Sequence, residues 1–319
     1  MAMLKQMGID MGPGFWDNPM VANLVFHPRK APRAERPDIK DGTIPVDDAG
    51  TAVGYRLYLN PSATSPAVLV HFHGNAEVAA DMDHGIAQFR EMGLAVLAMD
   101  YRGYGWSEGG LPKVSALMGD TEKVAAAIPG ILAGAGLGGA PVVLYGRSLG
   151  ATCVAHIAAN TPLGKGIKGV IVEAGLMALK ALPVAQQMAM MLPGGQQLVD
   201  MVPEPFGSVE KVARAGGVPL LVMHGDRDEL IPISEAVKCH AASTSATKRL
   251  VRFPGAGHND ITARALNEYL AAIKDFLGVA LGGAAGGPSE KDLKAMGVKD
   301  LKALLAARGV DYSQAVEKG

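Results

Sequence analysis

Cysteine is scarce in this chain, with two among 319 residues, Cys153 and Cys239. That excludes a disulfide framework and suits reduced thiols in a cytosol-like compartment. An excess of charge is also missing: 30 Lys and Arg stand against 31 Asp and Glu, a formal net charge of −1. Without a charged field there is no broad electrostatic reason to expect nucleic acid or a membrane surface as partner. No apolar run reaches the ~18 to 20 residues that a membrane-spanning helix needs. The opening MAMLKQMGID lacks the basic-then-apolar build of a signal peptide, and position 2 is not the glycine that N-myristoylation requires. The expectation is a cytoplasmic protein with no integral membrane segment. What is there, 49% hydrophobic residues with Ala, Gly and Met in slight excess, allows one large core or two modest ones.

Residues 1–42, rich in Met, Gly and Pro, are expected to form an N-terminal arm, extended and solvated over 28-PRKAPRAERPD-38. TIPVDDAGTAVGYRLYLN then reads as two antiparallel strands around a turn at Asp48-Ala49-Gly50. Six short apolar runs follow: AVLVHFH (67–73), LAVLAMD (94–100), PVVLYG (141–146), KGVIVEA (168–174), VPLLVMHG (218–225) and KRLVRFPG (248–255). Continuous apolar strands spaced by helix-like stretches predict an α/β fold with a parallel sheet covered on both faces, over a domain at 43–280. In ITARALNEYLAAIKDFLG, Leu266, Leu270, Ile273 and Leu277 recur at helical spacing and predict a helix packing that stripe on the sheet. The Gly-rich stretch 281–288 reads as a flexible linker. Beyond it, 289–319 reads as a helical tail, with a capping box at Ser289 and Asp292 and a helix C-cap at Gly309. Two short helices are too few to bury a core alone.

Within this pattern, GRSLG at 146–150 is a Gly-x-Ser-x-Gly stretch with a strand before it and a helix after it. So tight a turn leaves no room for side chains at the glycines. It lifts Ser148 out of the sheet toward the amino end of the following helix, whose N–H groups and dipole favour negative charge. A serine hydroxyl is a weak nucleophile near neutral pH and needs a base oriented by an acid. Downstream, FPGAGHND sets His258 between glycine-rich turns in a loop after the last strand. VMHGDRDELIP offers Asp226, Asp228 and Glu229 just past a strand end.

Functional groups of open α/β sheets gather at the carboxyl ends of strands, so serine, acid and histidine are expected on one edge. Asp228 is the preferred acid. Asp226 is its local rival, with turn-shaping as its other role, and Glu173 is a more distant rival that could instead pair with Arg147 or a backbone donor. Charge developing on a tetrahedral intermediate also needs donors fixed in advance. The backbone N–H of Leu149 is one, and that of Asn75, in HFHGNAE, is the natural second. Neither a P-loop nor HExxH occurs, so no cofactor or metal is expected.

Taken together, HGNAE, MDYRGYGWSEG, YGRSLGA, HGDRDELIP and GAGHND, in that order, resemble the α/β-hydrolase superfamily. The closest resemblance is to the α/β-hydrolase-domain-containing proteins that include depalmitoylases, over roughly residues 40–278. It implies the α/β-hydrolase fold, Ser148 as nucleophile, His258 as base, Asp228 as acid, and the amides of Asn75 and Leu149 as the oxyanion hole. Tyr101 and Arg102 would shape the loop beside the pocket. Depalmitoylases of this type have a cysteine-rich, lipidated amino terminus, whereas no cysteine precedes Cys153 here. The resemblance therefore carries the catalytic residues and leaves the substrate open between a small-molecule ester and an acylated protein. The tail resembles a SAP-like helical module, but six basic against five acidic residues over 289–319 favour protein contact over nucleic acid.

Residues 175–215 are longer than a strand-helix unit requires and include Met177, Met188, Met190, Met191 and Met201. Methionine adapts to irregular apolar shapes. The segment fits either a helix packed on the sheet or a small lid whose Met190 and Met191 line an acyl-chain pocket. The expected function is a serine hydrolase acting on carboxylic esters or thioesters. The alternative is a catalytically weak binding protein on this scaffold, with the tail mediating protein interactions.

Overall fold

The structure, a computed structural model, describes residues 15–17, 19–190, 203–282 and 297. Eight strands form one sheet: β1 (Ile39–Pro45), β2 (Ala52–Tyr58), β3 (Ala67–Phe72), β4 (Leu94–Met99), β5 (Val142–Arg147), β6 (Gly169–Glu173), β7 (Leu220–Gly225) and β8 (Lys248–Phe253). Their spatial order is β1-β2-β4-β3-β5-β6-β7-β8. β1 pairs antiparallel with β2, and β2 antiparallel with β4; every later pair is parallel. The α-helices among the described residues are α1 (Pro19–Val25), α2 (Ile86–Glu91), α3 (Val114–Gly134), α4 (Gly150–Asn160), α5 (Pro183–Met190), α6 (Ser208–Arg214), α7 (Ile233–Ala242) and α8 (Ile261–Ala280), with a 3₁₀ stretch at Ala79–His84.

The strand composition explains the layering. Every residue of β3, β4, β6 and β7 is buried, as expected of parallel strands covered on both sides. Alternation along each strand divides the apolar side chains between two cores. Val68, Val70 and Phe72 of β3 join Leu97, Met99 and Leu144 in one core, with Ile128 of α3 and Val154 of α4. Leu69, Val96, Val143, Ile171 and Leu221 face the other, under Phe89 of α2 and Ile273 of α8. Both cysteines are buried free thiols, which burial pushes up to about 11 for Cys153 and about 12 for Cys239.

Three expectations change. The stripe on α8 is rotated: Ile273 and Leu277 are buried with Tyr269, Ala272 and Phe276, whereas Leu266 is 45% exposed. The buried face is centred on Tyr269, Ala272, Ile273 and Phe276, so Leu266 and the partly buried Leu270 fall at its margin. The amino-terminal arm is not extended throughout, because α1 buries Ala22 and Val25, Phe26 is buried beside it, and β1 already begins at Ile39. Residues 28–38 do run largely exposed. The segment at 175–215 is anchored at both ends, with Leu176, Met177, Leu179 and Phe206 in the core and the Glu204 carboxylate accepting the N–H groups of Leu179 (2.9 Å) and Lys180 (3.2 Å). Met191, and the linker and tail at 281–319 apart from residues 281, 282 and 297, lie outside the described residues. No helix of the described residues is long and apolar enough to cross a membrane.

Two glycines fix the β5–α4 junction. A Cβ at Gly150 would stand 2.0 Å from the Phe72 carbonyl oxygen of β3, and one at Gly146 would stand 2.5 Å from the Gly150 oxygen. Backbone cannot yield as a side-chain tip can. Gly150→Ala is therefore expected to lower unfolding free energy by about 3 kcal/mol or more, the upper range for overpacking. Gly130→Ala, on an α3 position with nothing within 4 Å, should instead raise it by up to about 1 kcal/mol. Urea denaturation of the two variants side by side measures both.

Candidate active site

The site lies where β5 gives way to α4. Ser148 adopts φ +50°, a left-handed conformation that a serine takes only where its surroundings impose it. Its N–H donates to the Glu173 carbonyl (2.8 Å), and its own carbonyl accepts from Leu176 (3.0 Å) and Ala151 (3.1 Å). The serine backbone is thus tied to β6 and to the first turn of α4. Among the described residues, two other non-glycine positions have positive φ, Ala76 at +62° and Ala174 at +45°, in the loops after β3 and β6. Backbone strain is concentrated on the carboxyl edge of the sheet.

Ser148, His258 and Asp228 come together there. His258 Nε2 lies 3.1 Å from Ser148 Oγ, and His258 Nδ1 lies 2.8 Å from Asp228 Oδ2. Ser148 is 7% exposed and His258 5%. The loop carrying the histidine is pressed against the end of β7, since a Cβ at Gly225 would stand 2.3 Å from the Ala256 oxygen. The Arg227 amide donates to that same oxygen (2.9 Å). This contact joins two segments 30 residues apart and brings His258 to the acid.

The carboxyl of Asp228 is fully buried and held well below the usual carboxylate range. Burial, the largest influence, would raise it, but hydrogen bonds from His224, His258 and the Ile231 amide together outweigh that effect. Oδ1 accepts from the N–H groups of Leu230 (2.9 Å) and Ile231 (2.8 Å). His224 Nε2 lies 3.1 Å from Oδ2 and donates to the Ile231 carbonyl at 2.8 Å. The other two acids are engaged elsewhere. Asp226 accepts from the Gly255 N–H (2.7 Å) and shapes the turn. Glu173 accepts from Arg147 Nε (3.4 Å), Tyr269 (3.1 Å) and Tyr145.

Leu149 directly follows the serine, and Asn75 lies in the loop after β3. Among the described residues neither backbone N–H has a hydrogen-bond partner. The Asn75 side chain is locked: Oδ1 accepts from the His27 N–H (2.8 Å), Tyr104 Oη (2.6 Å) and the Ala76 N–H (3.0 Å), and Nδ2 donates to His27 Nδ1 (2.7 Å). Tyr101 Oη donates to the His73 carbonyl (2.7 Å), and Arg102 links Asp47 in the β1–β2 turn (2.6 Å) to Asp120 of α3 (2.5 Å). Met190 ends α5 with 74% of its surface exposed. No group of three or more His, Cys, Asp or Glu among the described residues is arranged to hold a metal ion.

Sequence reasoning did not single out His27, Arg29, Tyr104 or His224. Arg29 Nε donates to the Ala76 carbonyl (3.0 Å), so the amino-terminal segment straps the loop that carries Asn75. Nothing in a basic, proline-rich stretch signals such a contact. His224 could have been noticed, standing four residues before the acid at a strand end.

A family model described as serine aminopeptidase, S33, matches residues 63–204. The uncharacterized protein YfhR of Escherichia coli O157:H7 is 30% identical over 207 residues, covering 63% of this chain and 67% of that protein. The α/β hydrolase domain-containing protein aho-3 of Caenorhabditis elegans is 28% identical over 222 residues, 69% of this chain and 60% of that one. Among solved structures, the Pyrococcus furiosus esterase Pf2001 superposes with a TM-score of 0.60 at 18% identity, covering 79% of this chain and 98% of its own. That last likeness is one of fold.

Because the Asp228 carboxyl is depressed in the folded chain, its stabilising contribution is fully present above its unfolded value near 3.8 and is lost as pH falls through the folded value. Asp228→Asn is accordingly expected to be less stable than the wild type near neutral pH, with the gap closing progressively below pH 3.8. Denaturant midpoints taken across that range measure the closure.

Proposed function

We propose a function from one premise: the chain belongs to the α/β-hydrolase superfamily and is a hydrolase. On this reading it is a serine hydrolase that cleaves carboxylic esters or thioesters through an acyl-enzyme. The observation that supports it most strongly is the continuous path from a buried carboxylate through His258 to Ser148 Oγ, at 2.8 and 3.1 Å. The Pyrococcus furiosus neighbour is an esterase by name, which accords with an ester as substrate.

The chemistry follows from these positions. Ser148 Oγ attacks the carbonyl carbon while His258 Nε2 takes its proton, and the carbonyl oxygen becomes an oxyanion facing the amides of Asn75 and Leu149. Asp228, kept ionised by its donors, holds the imidazole in the productive tautomer and stabilises the imidazolium. Collapse of the intermediate expels the alcohol or thiol, which receives the proton from His258. Water, deprotonated by the same nitrogen, then attacks the acyl-serine and releases the acid. The substrate is a small-molecule ester or an acylated protein, and Met190 with Met191 contacts its acyl chain.

A fluorophosphonate probe is expected to label the wild type, and Ser148→Ala to abolish labelling and reduce turnover by up to about 10⁶-fold. Unchanged labelling of that variant eliminates Ser148 as nucleophile. A wild type that labels yet turns over no ester or thioester points instead to a binding protein on this scaffold.

Replacing Met190 and Met191 by serine should depress hydrolysis of long-chain p-nitrophenyl esters more than that of the acetate. Equal losses across the series remove the acyl-contact role.

A further inference from the structure

Resting on the serine-hydrolase reading, we propose that Arg147 is a positioning residue whose guanidinium braces the oxyanion loop and the histidine loop around Ser148. Arg147 occupies the first variable position of Gly-x-Ser-x-Gly, one peptide bond from the nucleophile. Its three nitrogens reach three separate segments. Nε donates to Glu173 Oε1 at the end of β6 (3.4 Å), and Nη1 donates to Glu77 Oε1 in the loop after β3. Nη2 donates to the His258 carbonyl (3.1 Å) and to Asn259 Oδ1 (2.9 Å).

The contact through Glu77 continues to the oxyanion donors. Its other oxygen, Oε2, accepts the Gly74 N–H (2.7 Å), and Gly74 precedes Asn75. A Cβ at Gly74 would stand 2.8 Å from Arg147 Nη1, so the guanidinium lies directly against that backbone. One planar cation therefore joins the loop bearing one oxyanion amide, the strand end that anchors the serine backbone, and the residue that would move the proton. With 15% side-chain exposure for Arg147 and 7% for Glu173, the Arg147–Glu173 bond operates largely out of water. Burial alone would disfavour the charge, but Glu173 and Glu77 hold the guanidinium protonated.

A cation serving only to neutralise two carboxylates could be replaced by lysine. A brace could not, because an ammonium on a flexible stem has no rigid fork with which to hold three segments at once. Misplacing reacting groups by about 1 Å costs on the order of 10²-fold in rate.

Arg147→Lys separates the two roles. Positioning predicts a kcat on p-nitrophenyl butyrate reduced on the order of 10²-fold, with KM nearly unchanged and the melting temperature close to that of the wild type. The NMR resonance of the His258 Nδ1 proton, protected by Asp228 in the wild type, should broaden or vanish. Asn259→Ala, an exposed truncation that leaves the core intact, should give a smaller kcat loss of the same kind. Wild-type kcat and an intact resonance in folded Arg147→Lys overturn the proposal. If that variant melts far below the wild type, Asn259→Ala decides, and wild-type kcat in it overturns the proposal. Fluorophosphonate labelling of the wild type reports separately on the serine-hydrolase reading. If the wild type neither labels nor turns over, the Nδ1 resonance alone decides: its retention in Arg147→Lys overturns the brace, and its loss upholds it.

Discussion

The site depends on how closely backbone meets backbone between β5 and α4. Gly150 lies so near the Phe72 carbonyl, and Gly146 so near Gly150, that a single carbon added at either place collides with main chain. Helix and strand can approach this far only without side chains at those two positions, and the approach forces Ser148 to φ +50°. The hydroxyl then lies 3.1 Å from His258 Nε2.

Charge is organised around the same edge. Glu77, Glu173 and Asp228 are carboxylates that folding has removed from most of their water, and each is met by a fixed set of donors. Arg147 serves the first two, while His224, His258 and backbone amides serve the third. Paired and hydrogen-bonded carboxylates at low dielectric are tolerable where isolated ones are not. The same donors restrict where the loops can sit, so electrostatic compensation and geometric precision arise from one set of contacts. The amino-terminal segment adds a second restraint through His27 and Arg29, which grip the loop carrying Asn75 from the solvent side.

Much of the strand layout was legible because parallel strands buried on both faces must be written as unbroken apolar runs; five of the six runs became such strands, the sixth became the half-buried edge strand β8, and all ended within a residue or two of their expected ends. The glycine-serine-glycine turn was legible for a similar reason, since its sterics leave few alternatives. The helix at the end of the domain was harder. Leu266 continues the apolar spacing of α8, yet the buried face is centred on Tyr269, Ala272 and Phe276, and which side of a broadly apolar helix meets the sheet is set by packing. The burial of α1 was illegible too, because a short Met- and Pro-rich stretch has the composition of a solvated arm whether or not a neighbouring core accepts it.

From the sequence alone came the residue types with the right chemistry, their order along the chain, and the expectation that strand ends would gather them. Which acid faces His258 was decided only by tertiary structure: the end of β7 and the histidine loop meet at Gly225, turning Asp228 inward, while Asp226 turns to the Gly255 amide and Glu173 to Arg147 and two tyrosines. The part of Arg147 was hidden for the same reason. Hydrogen bonds depend on distances of about 3 Å between atoms, and segments more than 100 residues apart acquire such distances only when the chain is packed.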